Sequence, residues 1–314
     1  MGEFELIERV FAPLSCSDVG SGLLLGVGDD CALQAVPPGQ WLAFSVDTLV
    51  EGVHFPIGYA PEQLGWRALA VAASDLAAMG ASPVCFTLAL TVPDASTDWF
   101  EALARGLQQA ASAFGLQLAG GDTTRGPLTL SIQVHGLVPA GGALRRDGAE
   151  PGDLICVSGP LGNAAAALRW LAASPTDPNV EQLLASYHRP VPRLALGQWL
   201  QGRATAAIDI SDGLLADLAH ICGASGVGAD IDSASIPLTP ALRASVGQDA
   251  LALALRGGDD YELCFTLPAR LHDLLITEAP QACTVIGKIT TGSAMLLDGE
   301  PVTPGGYDHF GVQT

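Results

Sequence analysis

Basic residues are scarce in this chain of 314 residues, which has 14 lysines and arginines against 33 aspartates and glutamates and a formal net charge of −19. Lys288 is the only lysine. Phosphate backbones and anionic lipids repel so acidic a chain, which argues against non-specific nucleic-acid binding and against attachment to a membrane surface. A Walker-type P-loop is excluded as well, because the glycine pattern of that motif does not precede Lys288.

Long apolar runs and paired cysteines are also missing. No stretch approaches 18 apolar residues, so no transmembrane helix is expected, and residues 1–6 carry acid where a signal peptide carries base. The seven cysteines include no Cys-x-x-Cys pair. Cys156 and Cys264 lie in strand-like runs, where we predict small buried residues. This cysteine usage predicts a cytoplasmic protein.

Apolar residues, at 49% of the chain, are present in ample supply for a buried core. The length favours two domains, and strand-like and helix-like segments alternate on both sides of a glycine- and proline-rich stretch at 139–152. We therefore predict an α/β protein with domains at 1–140 and 150–314. The predicted strands are 23–27, 41–46, 84–92, 128–138, 153–158, 205–209, 261–267 and 283–289. The predicted helices are 61–79 (beginning with a proline), 97–114 (capped by Thr97 or Asp98), 161–173, 212–224 and 269–279.

Aspartates in the first half stand beside glycine or small hydroxyl residues. They are Asp30 in Gly-Val-Gly-Asp-Asp, Asp47 in Ser-Val-Asp-Thr, Asp75 in Ala-Ser-Asp-Leu, and Asp122 in Gly-Gly-Asp-Thr. A carboxylate inside a strand or an alanine-rich helix is costly unless a partner neutralises it, and a cation is a usual partner. For Asp30, an ordinary polar turn is an equally good interpretation.

The second half has a matching cluster in Asp-Ile-Ser-Asp-Gly at 209–213, between a predicted strand and a predicted helix. A purely structural alternative is that Ser211 or Asp212 caps the predicted helix. A helix N-terminus also binds phosphate, so both roles are compatible. The carboxylates of both halves are hard oxygen ligands, which suit Mg²⁺ bound together with a phosphorylated substrate. Bound Mg²⁺ would also explain how so acidic a chain binds a nucleotide.

Seven motifs, taken together, resemble the thiamine-monophosphate kinases, a family of the aminoimidazole ribonucleotide synthetase superfamily. They are Gly-Asp-Asp at 28–30, Ser-Val-Asp-Thr-Leu-Val-Glu-Gly-Val-His-Phe at 45–55, Ala-Ala-Ser-Asp-Leu-Ala-Ala-Met-Gly-Ala at 72–81, Gly-Gly-Asp-Thr at 120–123, Asp-Ile-Ser-Asp-Gly at 209–213, Gly-Gly-Asp-Asp-Tyr-Glu at 257–262 and Gly-Tyr-Asp-His-Phe at 306–310. Each motif is weak alone, but the ordered set is specific. The resemblance implies ATP-dependent phosphorylation of thiamine monophosphate to thiamine diphosphate. It also implies a two-domain fold of α+β type and a homodimer in which the N-terminal domains pair through their sheets.

The resemblance further implies roles for individual residues. The implied magnesium ligands are Asp30, Ser45, the backbone of Val46, Asp47, Asp75, Asp122, Asp209 and Asp212. The implied ATP contacts are Gly121, Asp122, Arg146 and Ser211, and the implied thiamine-phosphate contacts are His54, Glu262 and Tyr307. Without the family, Arg146 is equally well a solvated arginine, and His54 is better interpreted as a half-buried histidine. No general base is implied, since the acceptor phosphate is already anionic.

Three alternatives remain at this stage. Aminoimidazole ribonucleotide synthetase and selenophosphate synthetase share the superfamily, but the latter needs a reactive cysteine in a glycine-rich loop, and Cys16 lacks that context. A non-enzymatic metal-binding protein is the third, although the acids do not follow the spacing of an EF-hand. The segment 187–193 has no assigned role, and a turn between helices is its simplest interpretation.

Overall fold

The computed structural model describes residues 7–15, 22–94, 96–173 and 176–307, so Cys16 and the 308–310 part of the last motif lie outside it. The chain divides into two units, Met1–Leu76 with Ala81–Gly141, and Ala77–Gly80 with Gly142–Thr314. The break after Gly141 falls within the glycine- and proline-rich stretch.

The first unit alternates strands and helices. After a π-helical turn at Ile7–Phe11 and a 3₁₀ turn at Ala12–Leu14, its elements are β1 (Leu23–Leu25), β2 (Leu33–Gln34), β3 (Gln40–Val50), α1 (Pro61–Ala78), β4 (Ser82–Val92), α2 (Thr97–Phe114), β5 (Gln117–Arg125) and β6 (Thr129–Pro139). Strands β1 and β2 form a small separate sheet, and the main sheet has the order β3-β6-β4-β5.

One face of this main sheet is covered by a helix, and the other face is exposed. On one face, Ile132 of β6 and Leu88 of β4 are buried. Helix α1 packs there, because a Cβ on Gly136 of β6 would lie 3.1 Å from Leu76 Cδ2. The opposite face carries Phe44 and Val46, which are 64% and 62% exposed. Since side chains alternate along a strand, Ser45 and Asp47 lie on the helix-covered face.

Helices α1 and α2 pack with their backbones in close approach. A Cβ on Gly106 would lie 2.0 Å from the carbonyl oxygen of Glu62, and one on Gly65 would lie 2.3 Å from that of Leu103. Only a residue without a side chain fits such a contact. These two glycines therefore set the distance between the helices.

The second unit surrounds a mixed sheet of seven strands in the order β13-β12-β9-β11-β7-β10-β8. Its elements are β7 (Leu154–Val157), α3 (Asn163–Ala167), α4 (Pro178–His188), α5 (Leu194–Leu200), β8 (Ala206–Asp209), α6 (Leu214–Ser225), β9 (Gly228–Ile231), α7 (Pro240–Val246), α8 (Ala250–Arg256), β10 (Leu263–Leu267), α9 (His272–Glu278), β11 (Thr284–Thr290), β12 (Met295–Leu297) and β13 (Glu300–Pro301), with 3₁₀ turns at Leu168–Trp170, Ser233–Ser235, Gly247–Asp249 and Ala269–Leu271.

The central strands of this sheet are buried on both faces. Ile155 of β7 belongs to one hydrophobic cluster and Cys156 to another, so successive side chains enter different cores. Cys156 and Cys264 are fully buried, which confirms the sequence prediction for both. Strand β10 is antiparallel to β7 and β8, so the ends of β7 and β8 and the start of β10 meet at one edge of the sheet.

Most predicted elements are present, with different ends. Strand β3 continues to Val50, and the predicted helix at 161–173 is reduced to Asn163–Ala167 followed by a 3₁₀ turn. The predicted cap of α2 at Thr97 or Asp98 is wrong, because the side chain of Ser96 accepts the hydrogen bond from Trp99 N at 3.3 Å. None of the described helices combines the length and apolarity needed to cross a bilayer.

We expect Gly106→Ala to lower the free energy of unfolding by about 1–3 kcal/mol, because the added methyl group forces α1 and α2 apart. The control is Gly223→Ala on α6, where no atom lies within 4 Å of the added Cβ. That change should stabilise its helix by about 0.5–1 kcal/mol. Thermal denaturation of both variants checks the pair, and an unchanged melting temperature for Gly106→Ala would contradict the packing argument.

Candidate functional site

Three of the predicted ligands, two carboxylates and one hydroxyl, meet on the covered face of the first sheet. Ser45 and Asp47 project from β3, and Asp75 lies on α1. The hydroxyl of Ser45 donates a short hydrogen bond to Asp75 Oδ2. Asp47 is close enough for the charge of Asp75 to act on it. We call Ser45, Asp47 and Asp75 the β3–α1 cluster.

The electrostatics of the β3–α1 cluster favour a cation. Burial, and then the negative charge of Asp75, raise the pKa of Asp47 from 3.8 to about 7. A carboxylate with so high a pKa is one whose charge lacks compensation. Two carboxylates and a hydroxyl are hard oxygen donors of the kind that Mg²⁺ prefers. The residues present therefore fit magnesium, although no group of three or more His, Cys, Asp and Glu side chains in the described ranges is arranged to hold a metal ion.

Asp122 is not brought to the β3–α1 cluster within this unit. In the sheet register, Asp47 lies in one row with Ile132, Leu88 and Gly121, whereas Asp122 pairs with Ala89 in the next row. Asp122 is exposed and belongs to the face that carries Val46. A Cβ on Gly121 would lie 2.0 Å from the carbonyl oxygen of Leu88, so glycine is required there by the approach of β4.

The remaining predicted residues of the first unit lie in turns. Asp30 is exposed, and its backbone N–H donates to Asp29 Oδ1 at 2.8 Å, as in an ordinary polar turn. His54 is half-buried in the turn after β3, and its Nδ1 accepts a hydrogen bond from Val50 N at 3.0 Å. A neutral histidine that accepts at Nδ1 carries its proton on Nε2. His54 therefore presents a donor at Nε2.

In the second unit, the turn at 209–213 leads from β8 into α6. The buried carboxylate of Asp217, in the first turn of α6, accepts hydrogen bonds from the backbone N–H groups of Ser211, Asp212 and Gly213, each at 3.1 Å. Burial raises the pKa of Asp217 to about 7, although the three N–H donors oppose that shift. Asp217 thus holds the turn in one shape.

The structural alternative, a helix cap from the side chain of Ser211 or Asp212, is not present. The N-cap residue is Gly213, and it makes no side-chain hydrogen bond. Sequence reasoning missed Asp217, although an acid in the first turn of an otherwise apolar helix is a recognisable signal. The side chains of Asp209, Ser211 and Asp212 are consequently not needed to cap α6.

Glu262 stands at the same sheet edge, immediately before β10. Its backbone oxygen accepts from Ile210 N at 2.7 Å. Its carboxylate is buried and forms an ion pair with Arg193, with Nε donating to Oε2 at 2.7 Å and Nη2 to Oε1. Burial lowers the pKa of Arg193, but the hydrogen bond and charge of Glu262 outweigh that effect and raise it above its usual value. The role of Arg193 in segment 187–193 was left open by the sequence.

Strained backbone precedes Glu262. Asp259 and Tyr261 have φ values of 69° and 50°. L-residues other than glycine rarely adopt this backbone conformation. The strand-like pairing that fixes them runs along the 209–213 turn, with Asp259 N donating to Ser211 O at 2.9 Å and Tyr261 N to Ile210 O at 2.8 Å. Such strain persists only where the surroundings over-determine it, and it is common at functional sites.

The C-terminal tail, here Gly306 and Tyr307, contacts the 209–213 turn. Tyr307 N donates to Asp212 O at 3.0 Å, and a Cβ on Gly306 would lie 2.1 Å from that oxygen. Tyr307 is 45% exposed, so part of the residue is accessible to a ligand. Arg146 is exposed, and its backbone oxygen accepts from Ser225 Oγ at 3.0 Å. The second unit therefore brings Asp209, Ser211, Asp212, Glu262 and Tyr307 to one edge of its sheet.

The chain is similar to known proteins over nearly its whole length. The family described as AIR synthase related protein, N-terminal domain, matches residues 28–138, and the corresponding C-terminal domain family matches residues 150–296. The chain is thus a two-domain protein of the AIR synthase related class, which confirms the predicted fold class. The thiamine-monophosphate kinase of Escherichia coli (strain K12) is 46% identical over 98% of both chains, and that of Haemophilus influenzae is 40% identical over 99% of this chain and 98% of the relative. The chain belongs to the thiamine-monophosphate kinase family.

Solved structures lead to the same family. A thiamine-monophosphate kinase from Stenotrophomonas maltophilia K279a superposes with a TM-score of 0.89 at 46% identity, covering 96% of this chain and 98% of that one. A structure described as AaThiL complexed with AMPPCP and TMP has a TM-score of 0.82 at 32% identity, covering 98% of this chain and 97% of that one.

The pKa of Asp47 predicts how stability depends on pH. The pKa of Asp47 in the folded protein, about 7, exceeds its usual value of 3.8. The contribution of Asp47 to stability is therefore fully present below pH 3.8 and is lost as the pH rises through 7. In EDTA, the melting temperature of Asp47→Asn should therefore fall less between pH 5 and pH 8 than that of the wild type. At pH 8, added Mg²⁺ should raise the melting temperature strongly in the wild type only. Melting curves at both pH values check this. Asp217 is present in both proteins, so equal slopes would count against the assignment to Asp47.

Proposed function

We propose that this chain transfers the γ-phosphoryl group of ATP to thiamine monophosphate, forming thiamine diphosphate by direct in-line transfer with magnesium present. Membership of the thiamine-monophosphate kinase family supports the reaction. The observation that carries the proposal for this chain is the β3–α1 cluster, where burial and Asp75 leave the charge of Asp47 uncompensated. An uncompensated pair of carboxylates on a covered face is suited to a metal–phosphate complex.

The proposed ligands of magnesium fall into three groups. The first is the β3–α1 cluster with the backbone of Val46 and the exposed Asp30. The second is Asp122, which we assign to the cation that accompanies ATP. Gly121 and Asp122 are also the proposed contacts of this strand with the nucleotide itself. The third is Asp209 and Asp212 in the turn that Asp217 holds. Bound magnesium would neutralise phosphate charge that the acidic chain cannot neutralise itself.

The chain's own residues orient the two substrates. We propose that Ser211 and Arg146 contact the phosphates of ATP, because a hydroxyl at a helix N-terminus and an exposed guanidinium both bind anions. His54, Glu262 and Tyr307 are proposed for thiamine monophosphate. The nucleophile is a phosphate oxygen that is ionised near neutral pH, so no side chain has to remove a proton from it. Positioning is therefore the main task of these residues.

A second copy of the chain is proposed to cover the open face of the first sheet. Phe44 and Val46 are exposed there at 64% and 62%. Large adjacent apolar side chains on an uncovered sheet face are typical of an interface between proteins. A homodimer joined through these sheets would bury them, as the family resemblance implies.

The decisive experiment is an end-point assay of the purified protein with ATP, magnesium and thiamine monophosphate. Thiamine diphosphate and ADP should form in equal amounts. We expect Asp122→Asn to lower turnover by about two orders of magnitude, because it removes a charge aimed at the nucleotide. The control is Asp94→Asn, another exposed aspartate of the first unit, which should keep normal turnover. Normal turnover and magnesium dependence in Asp122→Asn would remove Asp122 from the site.

The ring of Tyr307 is expected to stack on the cationic substrate. Tyr307→Ala should weaken thiamine-monophosphate binding by roughly 1–2 kcal/mol and leave ATP affinity unchanged, whereas Tyr307→Phe keeps the ring and should keep the affinity. Titration calorimetry with each ligand separates the cases. An equal loss for both ligands would indicate that the tail supports the fold instead.

Direct transfer predicts inversion of configuration at a chiral γ-phosphate and a requirement for both substrates together. The rival route passes through an aspartyl phosphate on one of the many carboxylates, which gives retention and ping-pong kinetics. Stereochemical analysis of product made from chiral ATP distinguishes them. Retention, or ADP–ATP exchange without thiamine monophosphate, would overturn the direct route.

A further inference from the structure

The carboxylate of Glu262 is already occupied on both oxygens. Arg193, directly before α5, donates through Nε to Oε2 at 2.7 Å and through Nη2 to Oε1. The hydroxyl of Ser158, at the end of β7, also donates to Oε2. A Cβ on Gly159 would lie 2.4 Å from Oε1, so the chain leaves no room for a side chain beside the carboxylate. The environment of Glu262 is thus built around its pairing with Arg193.

The two members of this ion pair differ in their access to solvent. The side chain of Glu262 is 6% exposed, and that of Arg193 is 27% exposed. The two bonds to Glu262 use Nε and Nη2, which leaves Nη1 of Arg193 outside the pair. The guanidinium is therefore the more accessible member of the pair, and the carboxylate is the more buried one. Guanidinium groups bind phosphate and carboxylate oxygens through parallel N–H donors.

The position of the pair fits an anionic group of the acceptor. The backbone oxygen of Glu262 accepts from Ile210 N at 2.7 Å, so the residue that holds Arg193 lies directly against the 209–213 turn. That turn carries Asp209 and Asp212, which we have assigned to the metal–phosphate complex. A cation placed beside that complex suits the phosphate end of the acceptor better than its positively charged ring.

We propose that Arg193 contacts the phosphate group of thiamine monophosphate, and that Glu262 is the positioning residue that holds the Arg193 guanidinium. This inference rests on the proposed function and revises one part of it, because Glu262 then acts on the substrate through Arg193. Direct contact between Glu262 and a cationic ring would require Arg193 to leave, which would strand a buried charge.

The test compares thiamine monophosphate with thiamine, which has the same rings and lacks the phosphate. In Arg193→Met/Glu262→Met both charges are removed together, so no unpaired charge stays buried. We expect the KM for thiamine monophosphate to rise at least tenfold, while the Ki of thiamine as an inhibitor and the KM for ATP stay within twofold. Glu262→Gln retains the cation and should raise the KM less than the double variant does. The control is Arg169→Met, which breaks an exposed pair with Asp249 and should change none of these constants.

Two results would overturn the proposal. One is a Ki for thiamine that rises in parallel with the KM for thiamine monophosphate, since the pair would then shape the ring pocket. The other is an unchanged KM in the double variant. If the double variant does not fold, Arg193→Lys keeps the charge but loses the paired geometry. It should raise the KM for thiamine monophosphate at least threefold with thiamine inhibition unchanged, and parallel changes would again overturn the proposal.

Failure of the proposed function is separable from failure of this inference. A wild type that does not phosphorylate thiamine monophosphate refutes the function. The anion contact is then measured by calorimetry with inorganic phosphate, in the presence of a saturating non-hydrolysable ATP analogue. Tighter binding to the wild type than to Arg193→Met/Glu262→Met supports the contact. Equal affinities, or no binding to either protein, overturn it.

Discussion

Burying a carboxylate costs free energy unless its charge is compensated, and this constraint governs both units of the protein. The chain has 33 acidic residues and 14 basic ones, so most acids cannot have a basic partner. Three carboxylate sites differ in their compensation. Asp217 accepts three backbone N–H groups and Glu262 is paired with Arg193, whereas in the β3–α1 cluster the hydroxyl of Ser45 donates to Asp75 and the charge of Asp75 adds to that of Asp47. The β3–α1 cluster places two carboxylates close together, and we therefore propose that it binds a cation.

The first two kinds of compensation serve mainly to fix shape. By gathering the N–H groups of 211–213, Asp217 directs those donors inward and determines the path of the turn. Arg193 does the same for Glu262 from a different element of the unit. A carboxylate held in this way acts as an orienting group, because it fixes the position of the groups that donate to it. This distinction between orienting and ligand-binding acids is not visible in the motifs themselves.

Glycines enable several of the close approaches on which these groups depend. Gly159 leaves space for the Glu262 carboxylate, Gly306 allows the tail to reach Asp212, and Gly121 allows β5 to lie against β4. In each case a Cβ would fall within 2.4 Å of an oxygen atom. Gly121 and Gly306 are thus explained by close approach to backbone oxygens, and Gly159 by close approach to a side-chain carboxylate.

The sequence by itself determined the class of fold and the residues that carry charge, because apolar periodicity and turn residues act locally. The long periodic helices at 61–78 and 97–114 were predicted nearly to their ends for the same reason. Tertiary structure alone decided which acids share a face. The alternation of β3 and the register of the sheet separate Asp47 from Asp122, and contacts across 69 residues join Arg193 to Glu262. No local pattern encodes such pairings, since they follow from how strands align and helices pack.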